Sequence, residues 1–197
     1  MGLSFHYSGK ISNPDALATL IDDIKDIVKV FEWEFSIYET KFHPDSFEKA
    51  EYNDSIYGIS FNPPNCEPVF ICFLSNGKMS SPVHLTFYGK TASRQESDYL
   101  YMLSVKTQFA GIEIHKQLMY LFKYISEKYL SNFRLNDEGL FWGVWKEEIL
   151  VDKFREFTQL LENFEMLIDC TPIVKGEEIN DYIKRLIERM RNSTNEK

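Results

Sequence analysis

One pattern constrains the fold of this chain more than any other feature: a strand, a long amphipathic helix and a second strand follow one another twice. Alternating apolar residues indicate the strands, and apolar residues spaced three and four apart indicate the helices. The first copy occupies 3–7, 14–31 and 33–37, and the second occupies 101–105, 112–129 and 133–135. The repetition predicts an α+β fold and raises the hypothesis of a duplicated strand–helix–strand unit.

Three further strand-like runs, at 56–61, 69–74 and 83–88, separate the two copies. The run at 69–74 is apolar throughout, which is typical of a strand covered on both faces. In the run at 83–88, Val83, Leu85 and Phe87 alternate with polar residues, which predicts a half-buried strand. The sequence therefore predicts a single antiparallel, mostly meander sheet of about seven strands, with two to four amphipathic helices packed on one face.

The first long helix has the clearest signal in the chain. Asn13, Pro14 and Asp15 form a helix start, because Asn caps the free backbone N–H groups and Pro fits the first turn. The apolar residues that follow keep to one face: Leu17, Leu20, Ile21, Ile24, Ile27, Val28 and Phe31. Two more amphipathic helices follow residue 146, and no linker rich in Pro, Gly or Ser divides the chain. We expect one domain over 1–191 and a flexible tail at 192–197.

Charge and cysteine content limit the class of protein. With 22 basic and 30 acidic residues the net charge is −8, which disfavours nucleic acid and favours a basic protein partner. Three cysteines without a CxxC pair indicate a reducing compartment rather than a disulfide framework. The sequence shows no signal peptide and no apolar run long enough for a membrane. We expect a cytoplasmic protein.

The sequence contains no recognisable metal-binding or cofactor-binding motif. The four histidines and three cysteines have no metal-ligand spacing, and there is no phosphate-binding loop, so no metal and no cofactor is expected. The carboxylates that most suggest a catalytic acid are Asp137 and Glu138. The apolar side chains of Phe141 and Trp142 follow them closely, and an apolar wall of this kind raises the pKa of a carboxyl group that it encloses. A hydrolase with a carboxylate or histidine site in a cleft beside the sheet is therefore one alternative. A carrier with an aromatic-lined pocket is another, because 15% of residues are aromatic.

The polar positions of the predicted strands point to a different function. If helices cover one face of the sheet, these residues form the other: His6, Ser8, Glu34, Ser36, Tyr38, Ser60, His84, Thr86, Tyr88, Ser104, Lys106, Gln108 and Arg134. Hydroxyl, imidazole and tyrosyl groups of this kind are typical of a recognition surface. We therefore expect a non-enzymatic protein that binds a protein partner, a class that includes the immunity proteins that neutralise toxins. The expected binding residues are Tyr38, His84, Tyr88, Lys106 and Arg134.

Overall fold

A computed structural model of the chain describes residues 3–43, 47, 49, 51–89 and 98–195. Six strands and five α-helices lie in this part of the chain. In order they are β1 (Ser4–Ile11), α1 (Leu17–Val30), β2 (Glu34–Ile37), β3 (Tyr57–Asn62), β4 (Val69–Phe73), α2 (Pro82–Tyr88), β5 (Leu103–Lys106), α3 (Gly111–Tyr129), β6 (Leu130–Asp137), α4 (Glu147–Asp169) and α5 (Ile179–Asn195). The chain divides into two compact units, Met1–Phe154 and Arg155–Lys197.

The α+β class is confirmed, but the prediction of a single sheet of about seven strands is wrong. The described strands form two separate antiparallel sheets of three strands each, in the orders β5-β1-β6 and β2-β3-β4. In the first copy of the repeated pattern, β1 and β2 belong to different sheets. In the second copy, β5 and β6 pair with opposite edges of β1. The two copies are therefore used differently in the fold.

The predicted strand at 83–88 is also wrong, because these residues form α2. Ser81 caps the helix: its hydroxyl oxygen accepts a hydrogen bond from the backbone N–H of His84 at 3.1 Å. Pro82 occupies the first turn, where its missing N–H costs nothing. Val83 and Phe87, which the strand pattern placed in the core, are exposed. His84 and Tyr88 consequently lie on a helix, not on the polar face of a strand.

The first sheet, β5-β1-β6, buries one face against α3. Phe5 and Tyr7 of β1 contact Phe122 of α3, with ring centroids 5.3 and 4.6 Å apart. Val105 lies opposite Phe5, and Leu135 lies opposite Tyr7. Because side chains alternate along a strand, the residues between these positions turn to the other face of the sheet.

The second sheet, β2-β3-β4, packs against α1. Trp33 stacks on Phe61 of β3 with ring centroids 5.7 Å apart. The predicted stripe of α1 is confirmed along the helix, where five of its seven residues are buried: Leu17, Leu20, Ile21, Ile24 and Val28. Phe31, the last residue of that stripe, is 40% exposed just beyond the end of the helix.

A short segment after the turn at 75–77 connects the two sheets. The backbone N–H of Met79 donates to the carbonyl of Gly9 in β1 at 2.9 Å, and the N–H of Leu74 donates to the carbonyl of Lys78 at 2.9 Å. The hydroxyl of Tyr7 also donates to the carbonyl of Phe70 in β4 at 2.9 Å. The sheets therefore belong to one unit although they are not one continuous ladder.

The unit Arg155–Lys197 contains most of α4 and all of α5. Arg185 pairs with Glu177 at 2.6 Å, and Arg189 donates to the carbonyl of Cys170 at 2.8 Å. Helix α5 includes part of the predicted tail, as far as Asn195, and 196–197 lie outside the described residues. The single domain expected over 1–191 stays a prediction.

Candidate functional site

The face of the first sheet that points away from α3 is polar and exposed to solvent. We call it the open face, and it consists of His6, Ser8, Ser104, Lys106, Arg134 and Asn136. Strand register places His6 between Ser104 and Asn136, and places Ser8 opposite Arg134. His6, Ser104, Arg134 and Asn136 are exposed, and Ser8 and Lys106 are half-buried. The sequence predicted such a face for five of the six, all but Asn136.

Two adjoining hollows mark this side of the sheet. The larger, the Arg134 hollow, has a volume of about 400 Å³ and is lined in part by Ser8, Lys10, Lys78, Tyr101, Asn132 and Arg134. The smaller, the His6 hollow, has a volume of about 230 Å³ and shares Ser8 and Arg134 with its neighbour. Arg134 therefore lies at the junction of both hollows.

The Arg134 hollow is cationic on a chain whose net charge is −8. Lys10 and Lys78 lie opposite each other in an antiparallel bridge. The ammonium of Lys78 lies 4.8 Å from the centre of the Tyr101 ring, and that of Lys10 lies 5.0 Å from the Phe47 ring. No Asp or Glu is among the described residues that line either hollow.

The other predicted binding residues lie elsewhere in the same unit. Tyr38 and Tyr88 are half-buried and, with Tyr52 and Tyr101, pack against a small buried core. We call these four residues the tyrosine cluster; the core beneath it contains Ile56, Cys72, Leu74 and Leu100. The hydroxyls of Tyr38 and Ser60 lie 3.2 Å apart. Tyr101 belongs both to this cluster and to the lining of the Arg134 hollow, so the two regions adjoin.

His84 lies beside the tyrosine cluster. Its Nδ1 lies 2.7 Å from the Ser81 hydroxyl, and its ring centre lies 5.8 Å from that of Tyr88. Partial burial lowers the pKa of His84. The five predicted residues therefore divide between two places: Lys106 and Arg134 lie on the open face, and Tyr38, His84 and Tyr88 lie around the tyrosine cluster.

Lys10, Lys78 and Tyr101 of the Arg134 hollow were absent from the predicted set. Lys10 follows His6 and Ser8 at the polar phase of the same strand, so the alternation contained this signal. Lys78 lies outside the predicted strands and helices, Tyr101 begins the predicted strand at 101–105, and neither residue type by itself indicates a hollow. Their proximity depends on the bridge between the segment after the turn and β1, which sequence patterns do not show.

A buried polar network lies between the first sheet and α3. The Thr107 hydroxyl lies 2.8 Å from Nδ1 of His115, and Nε2 of His115 lies 3.2 Å from Oδ1 of Asp137. The second contact is at ion-pair distance, and Nε2 of His115 makes no well-formed hydrogen bond among the described residues. His115 is fully buried on the same face of α3 as Leu118 and Phe122.

The carboxylate of Asp137 binds the backbone of the turn that follows β6. It accepts hydrogen bonds from the backbone N–H groups of Gly139 at 2.7 Å, Phe141 at 2.8 Å and Trp142 at 2.9 Å. Burial acts to raise the pKa of Asp137, but His115 and these backbone donors outweigh it, so the pKa lies below its ordinary value. This overturns the hypothesis that an apolar wall raises it. Residues 140–142 are not part of a strand.

The Thr107, His115 and Asp137 side chains have the order of a hydroxyl–imidazole–carboxylate triad, but the arrangement is closed. Thr107 and His115 are fully buried and Asp137 is only 6% exposed. A nucleophile must reach its substrate, and the Thr107 hydroxyl is enclosed by protein. In this structure the network contributes to packing between the sheet and α3.

Other chemical groups are dispersed. No group of three His, Cys, Asp or Glu suited to a metal ion occurs among the described residues, and none of the helices they form has the length and apolarity of a membrane span. Cys66, Cys72 and Cys170 are free thiols, and burial raises the pKa of Cys66 to about 12. Comparison with known proteins gives no match to a family model, a curated protein or a solved structure.

Proposed function

We propose that this chain is a non-enzymatic binding protein that recognises a protein partner through the open face of its β5-β1-β6 sheet. One observation carries the proposal: the inner face of this sheet packs on α3, whereas the outer face presents exposed imidazole, hydroxyl, amide and guanidinium groups. Met102, which is 56% exposed, and Phe109, which is 64% exposed, add apolar area beside these groups. Arg and aromatic residues are the types in which binding energy concentrates.

The proposal includes a cytoplasmic location. Its support is chemical: three free thiols suit a reducing compartment, and Cys72 lies in an apolar core where burial raises its pKa. The tyrosine cluster, which adjoins the Arg134 hollow through Tyr101, is a second contact region within the same proposal.

The experiment is capture of the partner followed by measurement of its affinity. The full chain is used as bait in lysate of its own source cells, and the captured protein is then titrated against purified variants. We expect Arg134→Ala to weaken binding by about 1–2 kcal/mol or more with a nearly unchanged melting temperature, since Arg134 is exposed.

Lys123→Ala is the matched control for the loss of one positive charge. Lys123 is exposed on α3, which covers the opposite side of the same sheet. Failure to capture any protein that binds the purified chain contradicts the proposal. An equal loss of affinity in Arg134→Ala and Lys123→Ala also contradicts it, because the open face then has no special role.

A further inference from the structure

The unit Arg155–Lys197, which we call the smaller unit, leaves most of its apolar side chains exposed. Of the 22 large apolar residues exposed in the described part of the chain, ten belong to this unit. Leu186 is its only buried apolar residue among those described. Soluble proteins rarely concentrate exposed apolar side chains in this way unless they form a contact with another molecule.

Most of these side chains form one apolar stripe on each helix of the unit. In α4 the stripe consists of Leu160, Leu161, Phe164 and Ile168. In α5 it consists of Ile179, Ile183 and Ile187. Spacings of three and four residues place such side chains on one face of a helix, and that face normally packs against a neighbour. In a unit of about 40 residues a single chain rarely buries enough apolar area, and oligomerisation is one of the usual ways to add it.

The two helices carry opposite charge. The part of α4 that belongs to the smaller unit, 155–169, contains four acidic residues and one basic residue. Helix α5 contains four basic residues and two acidic ones. A second copy of the chain complements both helices at once, because it offers its own α5 to this α4 and its own α4 to this α5. An anionic lipid surface attracts only α5.

We infer that two copies of this chain associate through their smaller units, with α4 of each copy against α5 of the other. The contact is twofold symmetric, so each pairing of helices occurs twice and the apolar stripes are buried between the copies. Burial of the stripes supplies the affinity, and the opposite charges determine which helix meets which. The inference concerns the smaller unit alone and does not depend on the proposed function.

Analytical ultracentrifugation of the full chain over a range of concentrations measures the association, and we expect a monomer–dimer equilibrium. Ile183→Gln, in the stripe of α5, weakens the dimer by about tenfold or more, because the apolar side chain is lost from both copies of the contact. Val83→Gln is the matched control. Val83 is 54% exposed on α2 of the larger unit, close to the 46% of Ile183, and its replacement leaves the dissociation constant unchanged. Circular dichroism measures the helix content of each variant.

Two charge-reversed variants test which helices meet. Glu162→Lys with Glu165→Lys makes α4 basic within the smaller unit. Lys184→Glu with Arg191→Glu makes α5 acidic. Either variant alone places helices of like charge together, so its dimer weakens by about tenfold or more at low salt. An equimolar mixture restores the association, because the reversed α4 of one variant meets the reversed α5 of the other and the two unchanged helices also meet.

Three outcomes overturn the inference: a parent chain that stays monomeric at every concentration, an equal weakening in Val83→Gln and Ile183→Gln, or a mixture that associates no better than the separate charge-reversed variants. A monomeric parent that floats with phosphatidylserine vesicles assigns the apolar stripes to a lipid surface instead. Failure of the proposed function is distinguishable from these results. A monomeric chain that captures a partner through Arg134 contradicts the dimer and keeps the open face, whereas a dimer without any captured partner does the reverse.

Discussion

At the scale of single residues, one carboxylate connects two helices of the larger unit. Asp23 on α1 accepts hydrogen bonds from Tyr124 at 2.6 Å, Lys128 at 2.7 Å and Tyr129, all from α3. The Lys128 ammonium, followed by the two hydroxyls, lowers the pKa of Asp23 to about 2. Asp23 therefore stays ionised, and keeps its three donors, down to strongly acid pH.

Replacing this carboxylate tests the connection. We expect Asp23→Asn to lower the free energy of unfolding by about 1–3 kcal/mol at pH 7, since a charged acceptor is lost. The folded pKa of Asp23 lies below its unfolded value of about 3.9, so its contribution is complete above that value and lost as the pH falls through about 2. Urea unfolding of the parent protein and of Asp23→Asn, at pH 7 and at pH 2, measures the difference in their free energies of unfolding at each pH. We expect the difference at pH 2 to be the smaller one.

Asp22→Asn is the control, because Asp22 is exposed on the same helix and pairs with Lys25 only one turn away. An equal loss of stability in Asp22→Asn and Asp23→Asn contradicts the prediction.

The buried carboxylate at Asp137 gives a second prediction for a single residue. It is bound by three backbone N–H groups, and an Asn side chain cannot accept all of them because one of its ends only donates. We expect Asp137→Asn to lower the free energy of unfolding by about 2 kcal/mol or more. The neighbouring Glu138→Gln, an exposed position, serves as the control. Chemical denaturation measures the free energy of unfolding of both variants. A smaller loss of stability in Asp137→Asn than in Glu138→Gln contradicts the prediction.

The sequence did not reveal the network of Thr107, His115 and Asp137 because its members come from different elements of the fold. His115 continues the spacing of Leu118, Phe122 and Ile125, so helical periodicity did place it on the buried face. The polar partners of this ring, however, cannot be identified from the local sequence. Thr107 comes from the end of β5 and Asp137 from the end of β6, and only the sheet brings them together.

At the scale of elements, α1 was predictable because every local signal agreed. Asn13 caps the 3-10 turn that precedes it, with the side-chain oxygen accepting from Asp15 N–H at 2.9 Å, and Ile24 at the centre of the stripe is fully buried. We expect Ile24→Asp to lower the free energy of unfolding by about 3 kcal/mol or more, since it buries an unpaired charge. Thermal melting measures it against Ala18→Asp, an exposed position in the first turn. A shift no larger than that of Ala18→Asp contradicts the prediction.

Helix α2 shows where two local signals conflict. The alternation of Val83, Leu85 and Phe87 predicted a strand, but Ser81 and Pro82 form a helix start. In so short a run the two periods fit almost equally well, so the cap determines the structure. Leu85 is the residue of the three that packs against the core beneath the tyrosine cluster, and Val83 and Phe87 point to solvent.

The new position of Tyr88 changes what its replacement is expected to do. Tyr88 is half-buried against the core that contains Leu74 and Leu100, so Tyr88→Ala lowers stability by about 1–2 kcal/mol in addition to weakening partner binding. Tyr88→Phe keeps the ring and is expected to preserve the melting temperature. Melting and partner affinity are measured on both variants. Unchanged partner binding in the folded Tyr88→Ala protein excludes Tyr88 from the binding surface.

At the scale of the whole molecule, most strand positions were predictable, with 83–88 as an exception, but the pairing of the strands was not. The meander assumption joins each strand to its neighbour in sequence, which holds for β2, β3 and β4. It fails for β1, which pairs with β5 and β6 from the second half of the chain. Alternation tells which residues share a face, so five open-face residues were identified correctly. It does not tell which strands meet, so the hollow formed by Lys10, Lys78 and Arg134 appears only in the structure.

The distribution of buried residues leads to a prediction about the cooperativity of unfolding. Among the described residues, Leu186 is the only buried apolar residue of Arg155–Lys197, and the rest of the buried apolar side chains belong to Met1–Phe154. Leu160, Phe164, Ile179, Ile183 and Ile187 of the smaller unit are exposed. Because stability follows buried apolar area, we expect scanning calorimetry of the full chain to show two transitions, with the smaller unit melting first.

Leu186→Asp identifies the transitions, since it places a charge at the buried position of the smaller unit while leaving the chain complete. The first transition is expected to disappear and the second to move by no more than about 2 °C, because the larger unit keeps its own core. Ile24→Asp, in the larger unit, is expected to lower the second transition instead. The single domain predicted over 1–191 requires the opposite result: one transition in the parent chain, lowered by both substitutions. Calorimetry of the three proteins therefore decides between one cooperative unit and two.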